Sequence, residues 1–229
     1  MTRDEQKRAV AEAAVAYVTP GTTIGVGTGS TAALFIAQLA ARQGLVAAAV
    51  PSSEASAAAL RAAGIPVAAL DEQPSLPLYV DGADAVDPDL RLIKGAGGAL
   101  AREKVVASAS ELFVCIVDES KLTGSLGGPT GDHPGGAPVP LAVLPMAVAP
   151  VAERVRRLGG DPVVRRGFTA DDGLAILDVA GLDLDDPERL EADLDAIPGV
   201  VECGIFARRR ADVVLVGAAA GVRTLNAPG

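Results

Sequence analysis

Between Thr2 and Pro20 the apolar residues recur every three or four positions, as they do on one face of a helix. Thr2 and Glu5 have the spacing of a capping box, in which each residue satisfies a backbone N–H of the first turn. Pro20 and Gly21 are together a strong stop signal. The pattern therefore predicts a first helix across this segment.

After this helix, short apolar runs typical of buried strands alternate with segments of helical period, up to about residue 125. The predicted strands are residues 22–27, 45–50, 66–70, 77–80, 91–93 and 112–117, and the predicted helices between them are 33–42, 54–63 and 99–109. Such alternation predicts an α/β fold with an open, mostly parallel sheet wound with helices, Rossmann-like in character.

From residue 139 the order changes to strand, helix, two strands, helix and strand, which is the ferredoxin-like α+β unit. The apolar run 211–218 is predicted to return to the first sheet, so that the small domain would be inserted near the C-terminal end of the chain. This division assigns residues 1–125 and 208–229 to the α/β domain, 126–138 to a Gly/Pro-rich linker or insertion, and 139–207 to the ferredoxin-like domain.

Composition and charge exclude several classes of function. The net charge of −9 argues against nucleic acid or an anionic membrane surface as the main partner, because both attract a basic face. No apolar run approaches the ~20 residues of a spanning helix, and the N-terminus lacks the apolar core of a signal peptide, so we expect a cytoplasmic protein. With one histidine, His133, and two cysteines in apolar runs, we expect no metal site and no Ser-His-Asp triad.

The turn at residues 25–31, GVGTGST, follows a predicted strand and opens a helix. Its backbone N–H groups and the hydroxyls of Thr28, Ser30 and Thr31 can bind an anion, of which phosphate is the obvious candidate. A tight turn that needs glycine only for its geometry is the alternative. A dinucleotide site is not indicated, because the third glycine of that fingerprint is replaced by Ser30.

Carboxylates follow two of the later strands. Asp81 and Asp84 lie three residues apart just beyond a strand end, where open α/β sheets bind ligands, although a solvated turn is the alternative. Glu103 falls in the first turns of the next helix, where the helix dipole favours a carboxylate, and a surface position is the common case there.

Lysine is used sparingly, with four lysines against sixteen arginines. Lys94 and Lys121 each follow a strand end, which suggests positions that need a compact ammonium rather than a planar guanidinium. Lys7 could reach the same site from the first helix, whereas Lys104 is expected to be an ordinary surface residue.

The motifs together resemble the type A ribose-5-phosphate isomerase family over nearly the whole chain. They are GTGSTA at 27–32, SSEAS at 52–56, YVDGAD at 79–84, LIKGAGGALAREKVVA at 92–107, DESK at 118–121 and LGGDPVVRRG at 158–167. The resemblance implies an α/β domain with a ferredoxin-like lid, a homodimer or dimer of dimers, and catalysis without metal or other cofactor on a phosphorylated pentose.

The resemblance also implies residue roles. Glu103 would be the base, and Asp81, Asp84 and Lys94 a polar catalytic set. Substrate and phosphate contacts would come from Lys7, Thr28, Gly29, Ser30, Thr31 and Lys121, together with the turn Gly95, Ala96 and Gly97.

Four features depart from the family pattern: Ala85 and Ala142 replace acids, Ala96 stands in an otherwise all-glycine turn, and residues 128–136 form an insertion. Ala96 is compatible with the turn only if its φ is negative. The insertion is rich in glycine, so we expect an exposed, passive loop. A competing hypothesis is that Asp132 or His133 folds over the site and replaces a lost function.

These residues fit aldose–ketose isomerisation through an enediolate. Glu103 would move the proton, Lys94 and the amides of the 95–98 turn would stabilise the developing charge, Asp81 would assist ring opening and Asp84 would position a hydroxyl. Two alternatives are a non-catalytic sugar-phosphate sensor, which would not need Glu103, and an acyl or CoA transferase with Glu103 as nucleophile.

Overall fold

A computed structural model describes residues 1–227. The elements in chain order are α1 (Arg3–Ala14), β1 (Thr23–Val26), α2 (Ser30–Ala40), β2 (Ala48–Pro51), α3 (Glu54–Ala62), β3 (Leu76–Asp81), β4 (Ala85–Val86), β5 (Leu92–Ile93), α4 (Leu100–Ser108), β6 (Ser110–Asp118), β7 (Val139–Val143), α5 (Val148–Arg157), β8 (Asp161–Val164), β9 (Ala175–Ala180), α6 (Pro187–Asp195), β10 (Val200–Cys203), β11 (Ile205–Phe206), β12 (Val213–Ala218) and β13 (Gly221–Asn226). Short 3₁₀ helices lie at Val15–Tyr17, Glu119–Lys121 and Pro145–Ala147. Within residues 1–227 no helix combines the length and apolarity needed to cross a membrane.

The chain forms two compact units. The first comprises residues 1–82, 105–119 and 211–227, and the second comprises residues 83–104 and 120–210. Residues 83–104, 120–125 and 208–210, which were assigned to the α/β domain from the sequence, lie in the second unit.

The first unit is built on a six-stranded sheet in the order β13-β12-β6-β3-β1-β2. All neighbouring pairs are parallel except β12 with β13. Parallel strands must be covered on both faces, and the core accordingly contains apolar residues of both helices and strands, including Phe35, Leu60, Ile24 and Ile116. The return of 211–218 to the first sheet is confirmed, because β12 pairs with β6.

Three details of this sheet differ from the prediction. Residues 91–93, predicted as one of its strands, form β5 and pair with β4 and β11 in a separate small antiparallel sheet. Residues 66–70 form no strand and contribute one bridge, from Val67 to Ala49. Pro66 lacks an N–H donor and the neighbouring alanines offer little surface to pack, which explains the weak pairing. Strand β13 was not predicted, because its residues are mostly polar and exposed.

The N-terminal helix begins as predicted. Thr2 Oγ1 accepts a hydrogen bond from Glu5 N, and Glu5 Oε2 accepts one from Thr2 N at 2.7 Å, which completes the capping box. The α-helix ends at Ala14, and one 3₁₀ turn, Val15–Tyr17, continues it toward Pro20.

The second unit contains an antiparallel sheet in the order β10-β7-β9-β8. The strand order places the first and last strands of the β-α-β-β-α-β segment side by side, as in ferredoxin-like units. Helices α5 and α6 bury Val151, Val155 and Leu194 in the same core as Leu141 and Leu177 of the sheet. A small sheet in the order β11-β5-β4 completes the unit.

Candidate active site

The loop between β1 and α2 is held by close approach of its backbone to Asp81. A Cβ atom on Gly27 would lie 1.8 Å from Asp81 Oδ1, so only glycine fits there. Gly29, which precedes α2, has φ +102°, a left-handed conformation that also favours glycine. Glycine is therefore required at the two positions for different reasons: close approach to Asp81 at Gly27, and a left-handed backbone at Gly29.

Asp81 at the end of β3 is fully buried and fixes this loop. Its Oδ1 accepts hydrogen bonds from Thr28 N at 2.9 Å and from Gly82 N at 2.7 Å, and its Oδ2 accepts one from the Tyr79 hydroxyl at 2.5 Å. Three donors satisfy a carboxylate that has no contact with water. The loop and the end of β3 thus share one anchor.

A second support comes from residues 52–56, to which no role was assigned from the sequence. The hydroxyls of Thr28 and Ser52 are hydrogen-bonded at 2.9 Å, and Ser56 Oγ donates to the carbonyl of Gly27 at 2.6 Å. Ser53 caps α3 by accepting from Ser56 N. The signal was present in the SSEAS motif, where three hydroxyls follow a strand end.

Lys7 approaches the loop from α1. Its Nζ donates to Ser30 Oγ at 3.1 Å. Gly29 and Ser30 are exposed, and Thr31 is half-buried in the first turn of α2. An ammonium, two hydroxyls and the N-terminus of an eleven-residue helix are therefore grouped where an anion can bind.

In the second unit, Asp84 organises the turn that follows β5. Its Oδ2 accepts from Ala96 N at 2.9 Å, and Gly98 N donates to the carbonyl of Gly95 at 2.9 Å. Gly95 and Gly98 have positive φ, whereas Ala96 does not. The expectation of a negative φ at Ala96 is confirmed, and Ala96 and Gly97 are both exposed.

Lys94 and Glu103 form a buried ion pair. Lys94 Nζ lies 3.2 Å from Glu103 Oε2, and the two residues are 3% and 4% exposed. Lys94 N donates to the carbonyl of Gly204 at 2.9 Å, which joins its backbone to the β10–β11 segment. The Phe206 ring centroid lies 5.5 Å from Lys94 Nζ. A carboxylate and an ammonium are thus held together away from water, where each acts strongly on the other.

The expectation that Lys104 is a surface residue is wrong. Lys104 is 6% exposed, and its Nζ lies 2.6 Å from Glu191 Oε1 and 3.1 Å from Glu202 Oε1. It also donates to the carbonyl of Ile205 at 2.6 Å and lies 4.3 Å from the centre of the Phe206 ring. Lys104 faces into the ferredoxin-like unit because its partners there compensate for the loss of water.

The ionisable groups around Lys104 shift one another's pKa values. Burial alone would lower the pKa of Lys104, but its acidic neighbours outweigh burial and raise that pKa: Cys203 where its thiol is ionised, and the carboxylates of Glu202 and Glu191. Burial also raises the pKa of Glu202, and Lys104 offsets this only in part. The thiol of Cys203 has a pKa well above its ordinary value, mainly because of burial. The network therefore favours a charged lysine and a neutral thiol.

Arg165 was quoted in a motif but received no role from the sequence. Its guanidinium pairs with both carboxylate oxygens of Asp178, at 2.9 and 2.5 Å. The same group donates to the carbonyls of Ala96 at 2.8 Å and Gly95 at 3.3 Å. Arg165 thus holds the 95–98 turn from the carbonyl side while Asp84 holds it from the amide side.

Lys121 pairs with Asp132, a residue of the insertion. From the sequence, a contact of the insertion with the site was the alternative to a passive loop. Lys121 Nζ lies 2.7 Å from Asp132 Oδ2. The contacts within each unit therefore group Lys7, Thr28, Ser30 and Asp81 in the first, and Asp84 with Ala96 and Lys94 with Glu103 in the second.

Among residues 1–227, one group of side chains has the types and spacing to hold a metal ion: Asp195, Glu202 and Cys203, whose ligand atoms lie within 4.8 Å of one another. A metal needs the thiolate, but the raised pKa of Cys203 favours the protonated thiol. Lys104 also pairs with Glu202. The arrangement therefore suits an internal ion-pair network better than a metal.

Comparison with known proteins decides the family. The family description for ribose 5-phosphate isomerase A (phosphoriboisomerase A) matches residues 48–221. The ribose-5-phosphate isomerase A of Acidithiobacillus ferrooxidans is 50% identical over 224 residues, which cover 97% of this chain and 98% of the relative. The chain belongs to the ribose 5-phosphate isomerase A family.

Solved structures of ribose 5-phosphate isomerases share the fold. The enzyme of Neisseria gonorrhoeae is 42% identical, with a TM-score of 0.94 over 100% of this chain and 99% of that chain. A D-ribose-5-phosphate isomerase in complex with phospho-erythronic acid is 35% identical, with a TM-score of 0.92 over 99% and 100% of the two chains. The predicted fold class, a mostly parallel α/β sheet with antiparallel additions, is confirmed.

Two departures from the family pattern lie in apolar surroundings. Ala85 is 1% exposed and packs with Ile93 and Leu126, and Ala142 is 1% exposed and packs with Ile176. An acid at either position in this chain would need a polar partner or would have to be buried as the neutral carboxyl, because an unpaired carboxylate is too costly to bury. The alanines are therefore consistent with their local cores.

Proposed function

We propose that the chain interconverts D-ribose 5-phosphate and D-ribulose 5-phosphate through an enediolate, with Glu103 as the general base. Family membership supports the reaction. The buried pair of Glu103 and Lys94, 3.2 Å apart, is the observation that supports the choice of base.

The reaction moves a proton between neighbouring carbons, so one group must take the proton and return it. A carboxylate can do both. Glu103 lies on α4 with its side chain almost out of water, where proton transfer competes least with solvent. We assign Glu103 this role.

Negative charge develops on the sugar oxygens as the proton leaves. Lys94 carries a positive charge beside the base, and the backbone N–H groups of Gly95 and Gly97 in the turn that follows it can add to the stabilisation. Asp84 accepts from Ala96 N and thereby orients that turn. We assign Lys94 to charge stabilisation and Asp84 to positioning of the turn and of a substrate hydroxyl.

Phosphate binding is assigned to residues other than the Glu103 and Lys94 pair. Thr28, Gly29, Ser30 and Thr31 lie at the start of α2, and Lys7 contacts Ser30. Lys121 adds a further ammonium. Binding energy from the phosphate would orient the sugar rather than change the barrier directly.

For Asp81 we keep the predicted role in ring opening. Its oxygens already accept three hydrogen bonds, so contact with a sugar oxygen requires that one present donor be exchanged or shared. Its second role is structural, because the same bonds fix the phosphate loop.

Replacing Glu103 with glutamine tests the assignment. The amide keeps the shape and hydrogen bonding of the side chain but cannot accept a proton from carbon, so kcat should fall by at least about 10²–10⁴. The Glu103→Gln variant should still bind ribose 5-phosphate, as measured by calorimetry. Glu12→Gln, on the exposed part of α1, is the matched control and should retain activity. Ketose formation by the Glu103 variant at the control's rate would contradict the proposal.

The two alternative functions have less support. A sugar-phosphate sensor would use the loop at α2 but not the buried Glu103 and Lys94 pair. An acyl transferase would leave Asp84 and the second lysine without a role. Direct detection of ribulose 5-phosphate from ribose 5-phosphate separates the isomerase from both.

We also propose that the enzyme acts in the cytoplasm as a homodimer or dimer of dimers. Exposed apolar side chains support self-association, among them Met146 at 90% exposure and Val163 at 60%. Light scattering coupled to size-exclusion chromatography tests this, and a monomer at micromolar concentration would contradict it.

A further inference from the structure

The insertion at residues 128–136 follows a defined path beside Lys121. Gly131 N donates to the carbonyl of Ser120 at 2.8 Å. Thr130 N donates to the carbonyl of His133, and His133 N donates back to Thr130 Oγ1, at 2.9 and 3.0 Å. Thr130 itself is buried. The prediction of an exposed loop therefore holds only for part of the segment, since these bonds place Asp132 next to Lys121.

The ion pair between Asp132 and Lys121 is short and only partly exposed. Asp132 Oδ2 lies 2.7 Å from Lys121 Nζ, and the two side chains are 24% and 18% exposed. Screening by solvent is reduced at such exposure but not removed. The ion pair therefore holds Lys121 in place, but another anion can replace Asp132 on its ammonium.

A carboxylate oxygen on an ammonium occupies the position that a phosphate oxygen would take. Substrate phosphate carries close to two negative charges at neutral pH, so Asp132 beside it would be repelled. Lys121 can satisfy either anion fully, but both at once only against that repulsion.

We propose that Asp132 is an internal competitor for the phosphate-binding ammonium of Lys121, and that it weakens the apparent affinity for the phosphorylated sugar. The inference rests on the proposed role of Lys121 in phosphate binding. It makes the insertion a determinant of KM, whereas kcat is set by Glu103 and Lys94. The hydrogen bonds that hold the segment involve Thr130, Gly131 and His133, so exchange of Asp132 on Lys121 does not require breaking them.

The first test is Asp132→Asn, compared with the wild type and with Asp71→Asn, which makes the same charge change at an exposed site in the other unit. We expect KM for ribose 5-phosphate to fall by about two- to fivefold, the range that a partly exposed ion pair supports, with kcat unchanged. The inhibition constant of inorganic phosphate should fall by the same factor. Asp132→Glu, which keeps the charge, and Asp71→Asn should resemble the wild type. An unchanged or higher KM in Asp132→Asn would overturn the inference.

The second test adds Lys121→Ala alone and with Asp132→Asn. If Lys121 binds phosphate, Lys121→Ala raises KM far more than it lowers kcat, and Asp132→Asn has no further effect in that background. A raised KM in Lys121→Ala together with no effect of Asp132→Asn in the wild-type background would reject the competitor and keep the phosphate role. An unchanged KM in Lys121→Ala would reject the phosphate role of Lys121 and the inference with it. Melting temperatures of all variants show whether any effect is one of folding.

Discussion

Replacing Lys104 with methionine should strongly destabilise the protein. Methionine keeps the apolar stem of the side chain and removes only the ammonium. Glu191, 2% exposed, would then keep its hydrogen bonds from the amides of Ala207 and Arg208 but lose its only cation among the contacts found in residues 1–227. A buried carboxylate without its cation is expensive, so the loss should be about 3–5 kcal/mol.

For a chain of this length each kcal/mol lowers the melting temperature by about 2–4 °C, so a decrease of about 6–20 °C is expected. Differential scanning calorimetry measures it. Arg157→Met is the matched control, because it breaks an ion pair whose arginine is 66% exposed, and its effect should stay below about 4 °C.

A double variant sharpens the test. Glu191→Gln in the Lys104→Met background removes the stranded charge and keeps an oxygen that can accept from the two amides, so part of the lost stability should return. If Lys104→Met melts within the range of the Arg157 control, the buried network does not stabilise the unit and the reasoning is refuted.

Three further outcomes are expected. Between about pH 9 and 10 the free energy of unfolding should fall with rising pH. The buried Cys203 thiol keeps its proton in this range, while the thiol of the unfolded chain, with a pKa near 9.0, loses it. Urea titrations of Cys203→Ala should show a shallower fall with pH, and equal slopes for variant and wild type would contradict this. Arg165→Lys keeps the positive charge but loses the planar guanidinium that contacts two carbonyls of the 95–98 turn. The turn should therefore shift, and kcat should fall by about ten- to hundredfold with little change in melting temperature. A kcat equal to that of the wild type would show that Arg165 does not position the turn. Activity should survive exhaustive dialysis against a chelator, because Lys94 supplies the positive charge at the base, and loss of activity with rescue by a divalent ion would exclude that account.

Local patterns predicted most of the fold because local physics determines it. The capping box at Thr2, the periodic segments and the left-handed Gly29 before α2 each depend on neighbours within a few residues. The ferredoxin-like unit itself followed from the order of its elements along the chain. The one lost strand, residues 66–70, had an apolar pattern but a proline and small side chains, so its pairing with β2 is a single bridge.

Tertiary partners could not be predicted in this way. Lys104 was expected at the surface, yet it is buried against Glu191 and Glu202, which lie 87 and 98 positions later in the chain. Arg165 is the same case, since its targets are the carbonyls of Gly95 and Ala96. A single sequence shows that a charged residue exists but not which distant group will neutralise it.

The insertion shows why composition alone misjudges a loop. Its glycines imply a low closure cost, about 0.6 kcal/mol for each doubling of length, and that estimate treats every path of the segment as equivalent. One partly buried ion pair can contribute up to about 1 kcal/mol, and each net hydrogen bond about as much. The bond from Gly131 to Ser120 and the pair of Asp132 with Lys121 select one path for the segment, which the closure cost alone leaves undetermined. When closure of a loop costs little free energy, a few specific contacts determine its path. Here those contacts place Asp132 beside Lys121, the lysine to which we assign phosphate binding.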